Sequence, residues 1–127
     1  MPDKPTSLQI GIAAESLACN YLLQQGLDLL ERNYRAPRGE VDLIMQDHDH
    51  MVFVEVRFRR NHRFGSGADS VRASKQDKLI RTALYYLQQH PKLAKRPVRF
   101  DVVSITTING QPDIDWIKDA FQAEGSM

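Results

Sequence analysis

Apolar and polar positions recur along this chain with two different periods. From Thr6 to Gly26, Ile10, Ala14, Leu17 and Tyr21 return at helical spacing and predict one amphipathic helix. Thr6 and Gln9 have the spacing of a capping box, and Gly26 suits the left-handed residue that ends a helix. "LDLLERNYR" then predicts a strand. Gly39 to Arg60 alternates at period two and predicts a strand pair. "DSVRASKQDKLIRTALYYLQQHP" predicts a second helix: Ser74 caps it, Leu79, Ala83, Leu84 and Leu87 face inward, and Pro91 stops it. "RPVRFDVVSITTINGQPDIDWI" predicts a hairpin about Asn109-Gly110. The order α-β-β-β-α-β-β implies an α/β fold in which helices pack on a single sheet.

The strand pair carries the most information. "QDHDHM" is its only polar interruption, so the turn centres on His48 and Asp49. In that register Asp42 stands opposite Glu55, and Glu40 opposite Arg57. Directly opposed residues have Cβ atoms about 4.5–5.5 Å apart. One face is wholly apolar: Val41, Leu43, Met45, Val52, Val54 and Val56. The other holds Glu40, Asp42, Ile44, Phe53, Glu55 and Arg57, and its apolar half needs a cover, for which the first helix is the expected element. Like charges opposed across a ladder destabilise it, and burial raises that cost. Two carboxylates placed so require a shared proton or a cation.

Length and composition narrow the setting. A chain of 127 residues predicts one domain, with an ordered core about 7–121 and short loose tails. The net charge is only +1, so partners must be read from local clusters. A single cysteine, Cys19, excludes an internal disulfide and fits a reducing cytoplasm. "MPDKPTSLQ" has no apolar run of signal-peptide length, and nothing approaches a membrane span.

Carboxylates are hard oxygen ligands. Mg²⁺ is held by one or two of them together with waters and substrate phosphates. Basic residues stand nearby. Arg57, Arg59, Arg60 and Arg63 cluster at the end of the strand pair, and Lys75, Lys78 and Arg81 form a stripe on the second helix. Such residues suit a polyanion bound through its phosphates. Other polar groups have plainer roles. Glu40 pairs with Arg57, and Asp101 with Arg99 on its own strand face. His48 and His50 belong to a polar hairpin tip. Cys19 packs as a small residue, and Trp116 packs in the core opposite Val103.

Asp42 followed by Glu55-Val56-Arg57 resembles the metal-binding signature of the PD-(D/E)xK nuclease superfamily. More closely, the chain resembles the YraN family of bacterial proteins, which is related to Holliday junction resolvases. The matching pieces are Glu15 on the first helix, "RNYR", "GEVDLI", "FVEVR.R", "FG", "SV…K…L…A..YL" and "RFDVV", spread over nearly the whole chain. The resemblance implies a restriction-endonuclease-like core of mixed sheet and flanking helices. It also implies metal-dependent hydrolysis of DNA phosphodiester bonds, on branched or otherwise structured DNA. Asp42, Glu55 and Arg57 would be catalytic. Glu15, Asp42, Glu55 and the Val56 carbonyl would hold Mg²⁺ or Mn²⁺. Arg59, Arg60, Arg63, Lys75 and Lys78 would face the nucleic acid, and a two-fold symmetric junction would suit a homodimer. Arg57 departs from the superfamily pattern, which has lysine there. Arginine keeps its proton and can stabilise charge but cannot act as a base, so a nearby lysine such as Lys75, or the metal alone, would take that part. The alternative is a catalytically inactive nucleic-acid-binding module on the same fold.

Overall fold

The computed structural model describes residues 6–59 and 72–123. The expected element order is present: α1 (Ser7–Gln24), β1 (Asp28–Ala36), β2 (Gly39–Asp47), β3 (His50–Arg59), α2 (Ala73–Gln89), β4 (Val98–Ile108) and β5 (Gln111–Phe121), with a short 3-10 helix at Leu93–Lys95 before β4. The five strands form one sheet in sequential order. Strand β3 runs parallel to β4 and the other pairings are antiparallel, so the sheet is mixed. Among the described residues no helix is long and apolar enough to cross a membrane. The expectation of loose tails falls largely on residues 1–5 and 124–127, outside the described residues.

Local chemistry sets the ends of the elements. The α1 capping box is formed: Gln9 N–H donates to Thr6 Oγ1 (3.1 Å) and Thr6 N–H to Gln9 Oε1 (2.8 Å). Gly26 takes φ 98°, the left-handed value that stops the helix. Asn109 and Gly110 both have positive φ, as a tight two-residue hairpin demands. Helix α2 is different: its N-cap is Arg72, with no side-chain cap bond, so Ser74 does not cap it.

The sheet is covered on both faces, but not as the sequence suggested. Helix α1 packs Ala14, Ala18, Cys19 and Leu22 on Leu43, Met45, Val52 and Val54. Helix α2 packs Leu79, Ile80, Ala83, Tyr86 and Leu87 on Ile44, Met51, Phe53 and Phe100. The half-apolar face therefore takes α2, and α1 takes the wholly apolar one. The buried face of α1 is built from small residues, which let the helix approach the strands closely, and Leu17 stays 38% exposed. Leu84 is likewise outward at 49% exposed, and Tyr86 fills the inward position instead. Val41 also departs from expectation. It joins the α2 cluster, whereas Leu43, two residues on, joins the α1 cluster. Regular alternation thus breaks around Asp42. Asn33 lies between the paired positions Arg32–Leu43 and Tyr34–Val41 and has φ 52°.

Candidate functional site

The β2–β3 register is the expected one, from Asp47–His50 at the turn to Leu43–Val54. Regular pairing ends there, one step before Asp42 and Glu55 would stand opposite. Asp42 reaches across instead, and its Oδ2 accepts the Val56 N–H at 2.8 Å. That bond satisfies a main-chain donor where the ladder fails. It also holds one carboxylate against the strand that carries the other.

Glu55 is 6% exposed. Its Oε2 lies 3.2 Å from Lys75 Nζ, which comes from the first turn of α2. Burial, then the neighbouring charge of Asp42 and a carboxyl–carboxyl hydrogen bond with it, push Glu55 up to about 8; Lys75 only partly opposes this. Near neutral pH Glu55 accordingly keeps its proton beside Asp42. Glu15 enters from α1. Its Oε1 is 3.6 Å from Arg32 Nη2, and Asn33 donates to its carboxylate. Burial and Asp42 raise its pKa, while Arg32 and Asn33 pull it down. Asp42 acts on both other acids because one helix, α1, and the fork between β2 and β3 deliver the three to one place.

That place is a cleft of about 520 Å³ whose lining includes Glu15, Asn33, Asp42, Glu55, Val56 and Lys75. Its oxygen-only donor set matches the preference of Mg²⁺ and Mn²⁺ for carboxylate, carbonyl and water. Asp42 and Glu55 supply the two carboxylates that such ions take when waters complete the shell, and an ion would replace the proton that Glu55 holds. Among the described residues no three Asp, Glu, His or Cys side chains converge tightly enough to form a ready-made metal cluster. Glu15, held by Arg32 and Asn33, therefore lies at the border of the pair and does not complete a set with it.

The basic residues divide. Lys75 meets the acids. Arg57, Arg59 and Lys78 do not line the cleft, and Arg60 and Arg63 lie outside the described residues. Arg57 is not opposite Glu40, because the β2–β3 ladder ends before that step and Glu40 pairs with Arg35 at 3.6 Å. His50 is the first paired residue of β3, opposite Asp47, and the remaining plainer expectations hold. Arg99 binds Asp101 (3.0 Å), Trp116 stands opposite Val103, Cys19 is buried, and His48 and Asp49 form the hairpin tip. Arg32 and Asn33 are the site residues that pattern reading missed. They sit inside "RNYR", and Asn is a residue that tolerates the left-handed conformation Asn33 adopts.

A family model described as "Uncharacterised protein family UPF0102" matches residues 14–105, a span that takes in Glu15, Asp42, Glu55 and Lys75. A UPF0102 protein of Nitrosococcus oceani is 49% identical over 114 residues, covering 90% of this chain and 92% of its own length. One of Pseudomonas aeruginosa is 48% identical over 125 residues, covering 97% and 100%. One of Coxiella burnetii is 47% identical over 116 residues, covering 91% and 94%.

Proposed function

The chain belongs to the UPF0102 family, the YraN family its motifs resemble, and we propose that it is a metal-dependent endonuclease with a restriction-endonuclease-like core that hydrolyses DNA phosphodiester bonds. One observation carries this: Asp42, Glu55 and Lys75, from three different elements, line one cleft beside the Val56 main chain. Asp42 and Glu55 would hold Mg²⁺ or Mn²⁺, with Glu15 at their border and the Val56 carbonyl within the same strand turn. A divalent ion bound there supplies positive charge to the phosphoryl oxygens and acidifies a water.

The chain's own groups do the rest. Asp42 keeps its place through the Val56 N–H, so its carboxylate meets a substrate without reorganising. Lys75 brings an ammonium to the carboxylates, where the superfamily pattern has its lysine two residues after the glutamate. It orients the attacking water and offsets charge that builds on the phosphorus-bound oxygens. Arg35 lines the cleft as a further cation, and Arg57, two residues beyond Glu55 on β3 but outside the cleft lining, would act on the phosphates only from a distance. Arg59 and Lys78 extend a basic surface that would hold the backbone through phosphates in a sequence-independent way.

A nucleic-acid-binding module without cleavage is favoured by a separate observation. The Lys75–Glu55 contact and the raised pKa of Glu55 relieve the crowding of the two acids with no ion at all. One experiment separates the two. Wild type and Asp42→Ala are titrated with Mg²⁺ and Mn²⁺ by calorimetry, then incubated with supercoiled, single-stranded and four-way DNA. Ion uptake and cleavage by wild type, both absent in Asp42→Ala, are the expected result. Salt-dependent DNA binding with neither uptake nor cleavage would leave the binding module.

A further inference from the structure

The cleft that holds the acids also has an apolar lip. Leu8 and Ile12 on α1 are 74% and 57% exposed, and Phe58 on β3 is 37% exposed; all three line the cleft. Leu8, Ile12 and Glu15 share one helix face by their spacing of four and three residues. Gly11 lies on the same stripe, with open space where a side chain would stand. None of the three large side chains belongs to either core cluster. Large apolar groups facing water beside a charged site gain free energy when something covers them.

Intact duplex DNA covers such groups poorly. It presents phosphates and sugars outward and keeps the faces of its bases stacked. An unpaired base offers a flat apolar face to an aromatic ring and to aliphatic side chains. The cleft, about 520 Å³, falls within the roughly 300–1,000 Å³ of sites that enclose a small organic group. We infer that the Leu8–Ile12–Phe58 lip receives an unstacked nucleobase adjoining the phosphate held at Asp42 and Glu55, so that the substrate is single-stranded or frayed DNA and not continuous duplex. The inference rests on the phosphodiester assignment above and narrows its substrate class. Continuity ties base to phosphate: Ile12 and Glu15 are one helical turn apart, and Phe58 follows Glu55 on the same strand.

The test uses full-length wild type, Ile12→Ser, Phe58→Ser and Lys75→Ala, with a 2-aminopurine-labelled 12-nucleotide single strand and its duplex. Binding is read by fluorescence at low salt in EDTA, and cleavage in Mg²⁺ and Mn²⁺. Stacking on the lip should quench the probe in the single strand. Ile12→Ser and Phe58→Ser should each weaken single-strand binding about tenfold while leaving duplex binding and ion uptake unchanged. Lys75→Ala should weaken both forms alike. Circular-dichroism melting checks that the serine variants stay folded. Equal affinity for duplex and single strand, or equal losses on both, would overturn the inference while leaving the phosphodiester assignment standing. So would a wild-type dimer in sedimentation that Ile12→Ser dissociates, since the lip would then be a contact between copies. A wild type that takes up no ion and binds neither strand form removes both.

Discussion

Asp101 on β4 and Glu55 on β3 are buried carboxylates one register step apart, since Val54 pairs with Asp101 and Glu55 with Val102. Their surroundings differ sharply. Asp101 accepts from Arg99 Nε at 3.0 Å, from Trp116 Nε1 at 2.9 Å and from the Asp119 main chain at 2.9 Å. Arg99 also reaches Asp47 at 2.9 Å. Burial works against the Arg99 cation, yet its bonds to Asp101 and Asp47 outweigh that and raise its pKa. The cluster is a closed circuit of rigid donors. Glu55 instead has a second carboxyl as its neighbour and, as its cation, a lysine whose side chain is 48% exposed. One cluster fixes strands in place; the other holds a carboxyl with a strongly raised pKa beside an open cleft, an arrangement typical of functional sites.

The contrast can be broken most forcefully at Asp101. Asp101→Ala leaves the Trp116 indole and the Asp119 N–H without their acceptor and Arg99 with Asp47 alone, and should cost about 3 kcal/mol, read as a lower urea midpoint at unchanged slope. A cost below about 1 kcal/mol would mean that the circuit contributes little to holding the strands. The next effect is pH-linked and belongs to Glu55. Its folded pKa is about 8 against an ordinary 4.5, so the folded chain retains a proton that the unfolded chain has released. The stability from this group is complete below about pH 4.5 and is lost as pH rises through about 8. The swing should be on the order of a few kcal/mol. Glu55→Gln should flatten that slope in denaturation curves taken across the window, and an unchanged slope would show that Glu55 is not the titrating group. Trp116→Phe keeps the ring but removes the indole donor to Asp101, and should cost about 1.5–3 kcal/mol. Lys75→Met should change stability least, within about 0.5 kcal/mol, while abolishing cleavage. A large stability loss there would make Lys75 a second Arg99 and erase the distinction.

The sequence exposes the hairpin and its acids because period-two alternation and a single polar break leave one register open to it. The side from which each helix approaches is not encoded in that alternation. It depends on the hand of the connection from β3 through α2 to β4, a property of the whole chain. The inward face of α1 is only partly legible for a related reason: Ala14 and Tyr21 of the expected stripe do pack inward, but Ala18 and Cys19 look weak beside Leu17, and a close helix–sheet contact favours such small residues. Lys75 is legible as part of a basic stripe and as a candidate replacement for the lysine that Arg57 displaces, but its partner is not. Its meeting with Glu55, 20 positions earlier in the chain, requires knowing which turn of α2 lies over the end of β3. The Asp101 circuit was half legible. Arg99 shares its strand face, whereas Asp119 reaches it through an irregular segment of β5 with φ 52°, a conformation that no periodicity announces.

The sequential strand order has a kinetic corollary. Strands β1, β2 and β3 pair through short local turns, as do β4 and β5, whereas the parallel β3–β4 join spans the long connection that carries α2. Loop-closure entropy makes that join the slow event. Asp42 and Glu55 are both supplied by the early, local half, so they confront each other before α2 delivers Lys75. Glu55 therefore has to hold the proton that burial beside Asp42 favours before the Lys75 ammonium arrives, and the folding rate should fall as pH rises toward about 8.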